Sequence, residues 1–513
     1  MENKSVENRI IQGTMVIVIV GIVAKFASFI AEAILAAFLG TTSQSDAYYM
    51  VSSVQSVIYP MLSVGIWNVF LPLYKNHIAK KEYHLAERLT NQSLTFFSAI
   101  SFAVVVLLIV FAPVVISMVA PGFEGETRAL CIKLVRISAP MYVFIIASAV
   151  YASVLQCHNR FLGSQIREVA SHIPTILTAF FLYRRLGVEV MALALVAASM
   201  LRLFVELPFV NWGYRFKPDV NFRRQEFTLM LKRLPSALIS AGVVQLNTLV
   251  DKAMASTLPA GTVSGLNYGH KLMNVFSGLL SSAIATAMYP QMVEMISLGK
   301  KDDLAKLIVK IMGLFCVLML PITMACVLFR IELVSVVYQR GVFTAESTVL
   351  TADVFALYCI GLFFIAANTI ITNFFYGYGN TTTPMYISMA NLGINVVFNL
   401  ILIRFLGING LALATSLSAM ITFFIRIRLA ERYMRLDNKK MIITAFKVLL
   451  ASSAACWVPR TIFWLYPINR YGILLVSAIL GAAIYWMLMK LLKVNEIDTL
   501  VELLRRKVKK KVS

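Results

Sequence analysis

The chain has 513 residues, 59% of them hydrophobic and 14% charged, with a mean hydropathy of +0.78. No ordinary soluble domain of that length is so apolar, so the composition describes a polytopic membrane protein. A formal net charge of +22 would suit a nucleic-acid binder, but the placement of the cations along the chain argues against that reading.

A hydrocarbon core of about 30 Å needs roughly 20 apolar residues per helical span. Apolar runs fall at approximately 10–39, 47–73, 90–119, 128–157, 164–183, 188–212, 227–256, 263–294, 303–329, 347–376, 384–403, 408–427, 441–463 and 470–492. They predict an all-α fold of about fourteen transmembrane helices. The first run is too long for a cleavable signal peptide and lacks a small-residue cleavage site, so it reads as a retained helix.

Alternate loops differ sharply in charge. One side carries Lys4, Arg9, Lys75, Lys80, Lys81, Arg88, Arg160 and Arg167, continues through Arg215, Lys217, Arg223, Arg224, Lys300, Lys301 and Lys306, and ends with Arg426, Arg428, Arg432, Arg435, Lys439, Lys440, Lys493 and the tail "RRKVKKKVS". The other side has only Arg128, Arg184, Arg185, Arg330, Arg340, Arg404, Arg460 and Arg470. The balance of about 28 against about 8 is a positive-inside bias that places both termini in the cytoplasm. The basic tail then reads as solvated or facing lipid headgroups, with no nucleic-acid partner implied. Cys131, Cys157, Cys316, Cys326, Cys359 and Cys456 fall in or beside spans, none as Cys-x-x-Cys, so neither disulfides nor a metal site is expected.

The outer loops "GTTSQSD", "APGFEGE", "LPAGTV" and "GING" leave no room for an external domain. The chain also repeats. "SDAYY" at 45–49 matches "SGLNY" at 264–268, "GFEGET" at 122–127 matches "VFTAES" at 342–347, and "LGVEVMALAL" at 186–195 matches "LGINGLALAT" at 406–415. Three patches at offsets near 220 define two six-helix lobes, 1–224 and 225–437, followed by two further helices and the basic tail in 438–513. Six helices per copy give both copies the same orientation, related by a pseudo-two-fold along the membrane normal.

Charges inside spans are expensive, roughly 2.5–3.5 kcal/mol at mid-bilayer on insertion scales, and mark a wet cavity or a partner. Lys25 and Glu32 lie on one face of the first span, and Asp46 opens the second. Lys133 and Arg136 share a face of the fourth. Arg202 and Glu206 stand one turn apart on the sixth and are expected to pair structurally. Asp251 and Lys252 sit on the seventh and His270 and Lys271 on the eighth, with Asp251 the repeat equivalent of Glu32. Lys25, Lys252 and Lys271 would give a cavity between the lobes a cationic wall, suited to a phosphate or diphosphate. His270 reads as a neighbour of Lys271 lining that cavity. No nucleophile elbow, phosphate-cradling loop, metal cluster or paired-carboxylate site is present in the sequence, so no enzyme is expected.

The stretch "LVDKAMASTLPAGTVSGLNYGHKL" resembles the seventh-to-eighth helix segment of the MurJ/MviN lipid II flippases, in the multidrug/oligosaccharidyl-lipid/polysaccharide exporter superfamily. Asp251, Ala255, Ser256, Gly261, Val263, Ser264, Leu266, Asn267, Tyr268 and Leu272 agree with that family's pattern, and its two arginines appear as Lys252 and Lys271. "GTTSQSDAYYMV", "YQRGVFTAEST" and "FYGYGNTTTP" resemble further family stretches, with Asp46 matching the family's acid. The resemblance implies a multi-pass protein of the bacterial inner membrane that exports the lipid-linked peptidoglycan precursor by alternating access. Its partners would be that lipid, membrane lipids and cell-wall synthesis proteins. Lys25 takes the place of a first-helix arginine and Lys271 that of the eighth-helix arginine, while helices thirteen and fourteen would form a groove for the polyprenyl tail. Asp251, Asn391, Asn395 and Thr415 resemble ligands of a coupling cation, Na+ or H+, with the membrane potential as the other implied driving force. The family's second first-helix arginine is Ala31 here, and its arginine-rich second helix is replaced by "IYPMLSVGIWN". Each surviving cation is a lysine without the guanidinium fork. A flippase for a capsule, O-antigen or teichoic precursor is therefore the alternative, and a drug/cation antiporter, which would want an acidic cavity, fits less well.

Overall fold

The computed structural model describes residues 2–210, 214–222, 225–465, 470–494 and 496. They form twenty helices and, among the described residues, no strand. In chain order these are α1 (Glu2–Leu39), α2 (Ser43–Ala79), α3 (Tyr83–Val110), α4 (Ala112–Val119), α5 (Gly125–Ser138), α6 (Met141–Cys157) and α7 (Phe161–Ala170). Then follow α8 (Ile173–Phe181), α9 (Tyr183–Leu186), α10 (Glu189–Val210), α11 (Gln225–Ala255), α12 (Thr262–Ser297), α13 (Lys301–Leu328) and α14 (Arg330–Tyr338). The last six are α15 (Ala345–Ile360), α16 (Leu362–Gly377), α17 (Thr382–Leu406), α18 (Ile408–Ala430), α19 (Asn438–Leu465) and α20 (Arg470–Leu491).

Each apolar run of the sequence coincides with one helix or a broken helix pair. Among the described residues nine helices are long and apolar enough to cross a membrane, or eleven when two bent pairs each count as one span. The all-α, multi-span class follows from this; a count of fourteen spans does not.

The chain packs as two compact units, Met1–Ser264 with Arg340–Phe343, and Gly265–Gln339 with Thr344–Ser513. Division by repeat falls at 224/225, whereas division by packing falls at 264/265, because α11 packs along α2 in the first unit. The core of that unit gathers Phe70 of α2, Phe97 of α3, Ile146 and Val150 of α6, and Phe227 and Met230 of α11. In the second unit α19 packs on α13, with Cys316, Val317, Val448, Ala451 and Met489 closing a small core.

The repeat is visible in the backbone. The broken pair α5–α6, bent by 44°, recurs as α15–α16, bent by 42°. Left-handed turn residues recur too: Asn159 at φ 58° and Gly379 at 71°, Gly187 at 73° and Gly407 at 55°, 220 residues apart in each case. The α2–α3 turn uses Lys81 at φ 61°, where the α12–α13 turn uses Gly299 at 67°. The two breaks are made differently. In α5–α6 the chain passes through Ala139 and Pro140, and proline lacks the amide that would continue the ladder. In α15–α16 Gly361 meets Ser416 of α18, whose Oγ donates to Leu357 O (2.6 Å) and lies 3.1 Å from the Gly361 amide that donates to it. Ser416 thus supplies the hydrogen bonds that the break removes, and a Cβ at Gly361 would stand 2.8 Å from Ser416 Cα.

Candidate functional site

The start of α2 is fixed by a capping box, Thr42 Oγ1 accepting from Ser45 N (3.2 Å) and Ser45 Oγ accepting from Thr42 N (2.8 Å). One residue on, Asp46 is 2% exposed. Its Oδ1 accepts from the Ser264 amide and hydroxyl, both at 2.7 Å, and its Oδ2 from the Gly261 amide at 2.6 Å. A carboxylate at a helix N-terminus meets unpaired amides and the positive end of the helix dipole. Asp46 therefore holds the first turn of α12 and is not an open ligand group, which corrects its assignment to substrate. Alongside it the Val342 amide donates to Ala37 O (2.8 Å), and Gly341 at φ 58° sits where any Cβ would collide with the Ala37 carbonyl.

Lys25 on α1 and Lys271 on α12 are exposed, Lys252 on α11 is half-buried, and Glu32 and Asp251 are buried. His270 is half-buried, its ring 5.3 Å from that of Tyr358, and the Asn274 amide lies 3.3 Å from its Nδ1. Two cavity candidates lie elsewhere. Lys133 Nζ pairs with Glu189 Oε1 at 3.1 Å, and Arg136 Nε donates to Ile109 O at 3.0 Å, both exposed on the first unit. They brace α5 against α10 and α3.

The expected Arg202–Glu206 pair does not form. Arg202 Nη2 donates to Glu168 Oε2 (2.6 Å), and its guanidinium lies 4.8 Å over the Tyr59 ring. Glu206, 0% exposed, accepts from Ser148 Oγ (2.6 Å) and lies 3.1 Å from Arg167 Nη1, while Arg167 Nε is 3.4 Å from Glu168 Oε1. Two arginines and two glutamates from α7 and α10 thus neutralise one another, with Ser148 of α6 and Tyr59 of α2 completing the set. Sequence reasoning missed this because it counted Arg167 as a loop cation. The tight turn at 158–160 starts α7 early and carries Arg167 and Glu168 inside the bundle. Adjacent opposite charges in the apolar run 164–183 were the available signal.

In the second unit the counterpart helices meet through neutral groups. Asn395 Nδ2 donates to Thr415 Oγ1 (3.2 Å), so two proposed cation ligands do converge. Asn391 turns instead to Thr422, accepting from its hydroxyl at 3.3 Å, and Asn399 Nδ2 donates to Asn395 Oδ1 at 3.0 Å. Asp251 belongs to the first unit. A cavity of about 1030 Å³ in the second unit is an apolar cleft lined by Met312, Phe363, Phe364, Phe424, Ile442 and Phe446 among others, with Arg428, Glu431 and Asn438 also lining it. Its walls are α13, α16, α18 and α19; among the described residues α20, expected to share this groove, adds none of the lining. The basic tail lies outside the described residues. Among the described residues no group of three His, Cys, Asp or Glu side chains could hold a metal.

Two repeated helical units, each with a broken span and with ionic or amide groups buried between apolar helices, define a multi-pass membrane transporter. The model of the lipid II flippase MurJ family matches residues 35–489, and the chain belongs to that family. A relative from Rickettsia prowazekii, described as a probable lipid II flippase MurJ, is 24% identical, covering 93% of this chain and 98% of its own. One from Thermotoga maritima with the same description is 25% identical, covering 94% and 96%. Among solved structures a lipid II flippase MurJ in an inward closed conformation has a TM-score of 0.80 at 20% identity, covering 93% of this chain and 98% of that one. An inward-facing multidrug resistance MATE transporter of the MOP superfamily gives 0.64 at 15% identity, covering 80% and 94%. At these identities the structural likenesses speak for the fold alone.

Proposed function

We propose that this protein is a flippase that moves lipid II, the polyprenyl-diphosphate-linked peptidoglycan precursor, across the bacterial inner membrane by alternating access. The observation that carries the reading is a family match running from residue 35 to 489, supported by relatives aligned over nearly their whole length under one description. Lys25, Lys252 and Lys271, with His270 beside the last, supply the cations that grip the diphosphate. An ammonium is a point charge, so several must act together where a guanidinium would bind two oxygens at once. Asn395 and Thr415 contribute oxygens to a coupling cation, and Asp251 of the first unit is a separate candidate for a charged ligand. Asn391 joins Asn395 and Thr415 only by releasing Thr422. Both termini are cytoplasmic, and cell-wall synthesis proteins are the natural partners of such an export step.

Expression in a bacterium depleted of its own lipid II flippase tests the reading. Restored growth with externally accessible lipid II is expected, together with loss of rescue for Lys271→Ala at unchanged membrane abundance. Lysis despite normal membrane levels of the unaltered protein would rule out lipid II. Dissipating the sodium gradient and the membrane potential separately, in cells kept alive by this protein, identifies the coupling force.

A further inference from the structure

The repeat that aligns "LGVEVMALAL" with "LGINGLALAT" aligns α10 with α18 at an offset of 220. It sets Arg202 against Thr422 and Glu206 against Arg426. Glu206 has a counter-charge in Arg167 and a hydroxyl donor in Ser148, although its Oε1 and the Arg167 Nε make no hydrogen bond. Arg426 has neither. It is 6% exposed, yet it makes no hydrogen bond or ion pair among the described residues, and its Nε is sealed from the surface without an acceptor. Its own helix and the packed helices α16 and α17 contain no Asp or Glu, and of the two acids on α15, which also packs on α18, Asp353 is paired with Arg330 and Glu346 lies in the first turn of α15. The nearest acid along the chain, Glu431, is already engaged by Arg428 at 3.2 Å and by the Asn438 amide.

A buried guanidinium without an anion is strongly unfavourable, and hydrocarbon-facing helices retain one only where a partner or a ligand meets it. Arg426 also lies at the basic end of α18. Arg428 is 86% exposed, and Arg432 and Arg435 are exposed beyond it. Exposed cations around a buried one form a funnel that concentrates anions and delivers them to the residue best able to hold them. A guanidinium presents paired N–H donors matched to two oxygens of a phosphate.

We infer that Arg426, just before the last turn of α18, is the anchor of a phosphate-binding site separate from the lysines assigned to the transported lipid. The anion it takes is a phosphate oxyanion, either free or as the headgroup of a membrane phospholipid. Binding completes in the second unit the charge pairing that Arg167 and Glu206 make internally in the first.

The test is thermal unfolding of the purified full chain. In detergent, inorganic phosphate is compared with chloride at equal ionic strength; in nanodiscs, phosphatidylglycerol is compared with a phosphate-free galactolipid. In at least one arm the phosphate probe should raise the unfolding temperature by a few degrees. A response in detergent identifies free phosphate, and one confined to phosphatidylglycerol nanodiscs identifies the headgroup. Arg426→Met should be more stable than the unaltered protein in chloride, because it removes an unpaired charge, and should ignore both probes. Arg428→Gln should keep the response. Arg426→Lys should fold and respond more weakly, separating bidentate recognition from charge alone. No response of the unaltered protein to either probe, or an equal response in Arg426→Met, overturns the proposal. Neither result bears on flippase activity, which the depletion experiment reads separately.

Discussion

In the first unit, α7 meets α10 through Arg167, Glu168, Arg202 and Glu206; in the second, α17 meets α18 through Asn391, Asn395, Thr415 and Thr422. The repeat preserves the helix pair and changes the chemistry of its seam. A closed set of charges fixes geometry rigidly, because removing any member strands another in a low dielectric. Amides and hydroxyls bind each other weakly in membrane bundles, about 0.6 kcal/mol on average, and can exchange one partner for another. The ionic seam therefore suits a unit that keeps its internal shape. The neutral one can change partners without stranding a charge.

The largest effect expected on this contrast comes from Glu206→Leu, which leaves Arg167 buried without its main partner. It should lower stability by about 3–5 kcal/mol, read as a fall in unfolding temperature in detergent. The double variant Glu206→Leu with Arg167→Met should recover most of the loss, and failure to recover would mean that packing, not charge, holds the seam. Next is the plug in the second unit. Ser416→Val removes the hydroxyl donor from the Leu357 carbonyl and leaves the Gly361 amide only its helical bond to Tyr358 O, and should cost about 1–3 kcal/mol, whereas the break at Pro140 is written into the proline itself. Backbone strain gives a smaller and opposite-signed effect. Lys81→Gly removes a left-handed lysine from the α2–α3 turn and should stabilise by about 1 kcal/mol, while Gly379→Ala, at φ 71°, should destabilise by a similar amount.

The smallest effect is a pH dependence at that same α2–α3 turn. His77 Nδ1 lies 2.8 Å from Glu82 Oε2, and this hydrogen bond holds the Glu82 carboxyl below the usual carboxylate range. A depressed folded-state pKa contributes stability above the unfolded value, about 4.3, and that contribution fades as pH falls through the lowered value. Glu82→Gln should flatten this acid limb slightly in unfolding scans between neutral and acidic pH. An unchanged slope would show the contact to be electrostatically idle.

Much of this was legible in the residues. Apolar run length located every long helix, since hydrocarbon thickness sets it directly, and the patches at 45, 122 and 186 exposed the duplication. The break at Pro140 is written in a residue type; the one at Gly361 is not, because it depends on Ser416 arriving from α18. The charged seam was half legible. Arg202 and Glu206 were visible one turn apart, but which acid meets which base depends on how α7 and α10 rotate against each other. Asp46 was read as a substrate group, but its bonds to Gly261 and Ser264 connect residues more than 200 positions apart, a distance no local pattern reaches.

All six cysteines are buried and unpaired. To a polar, thiol-reactive label the native chain is close to blank, so no cysteine-free version has to be built first. A single cysteine placed at Lys25 or Lys271 would report alone, and its labelling from one side of a vesicle or the other would chart which face of the membrane that position sees as the transport cycle turns.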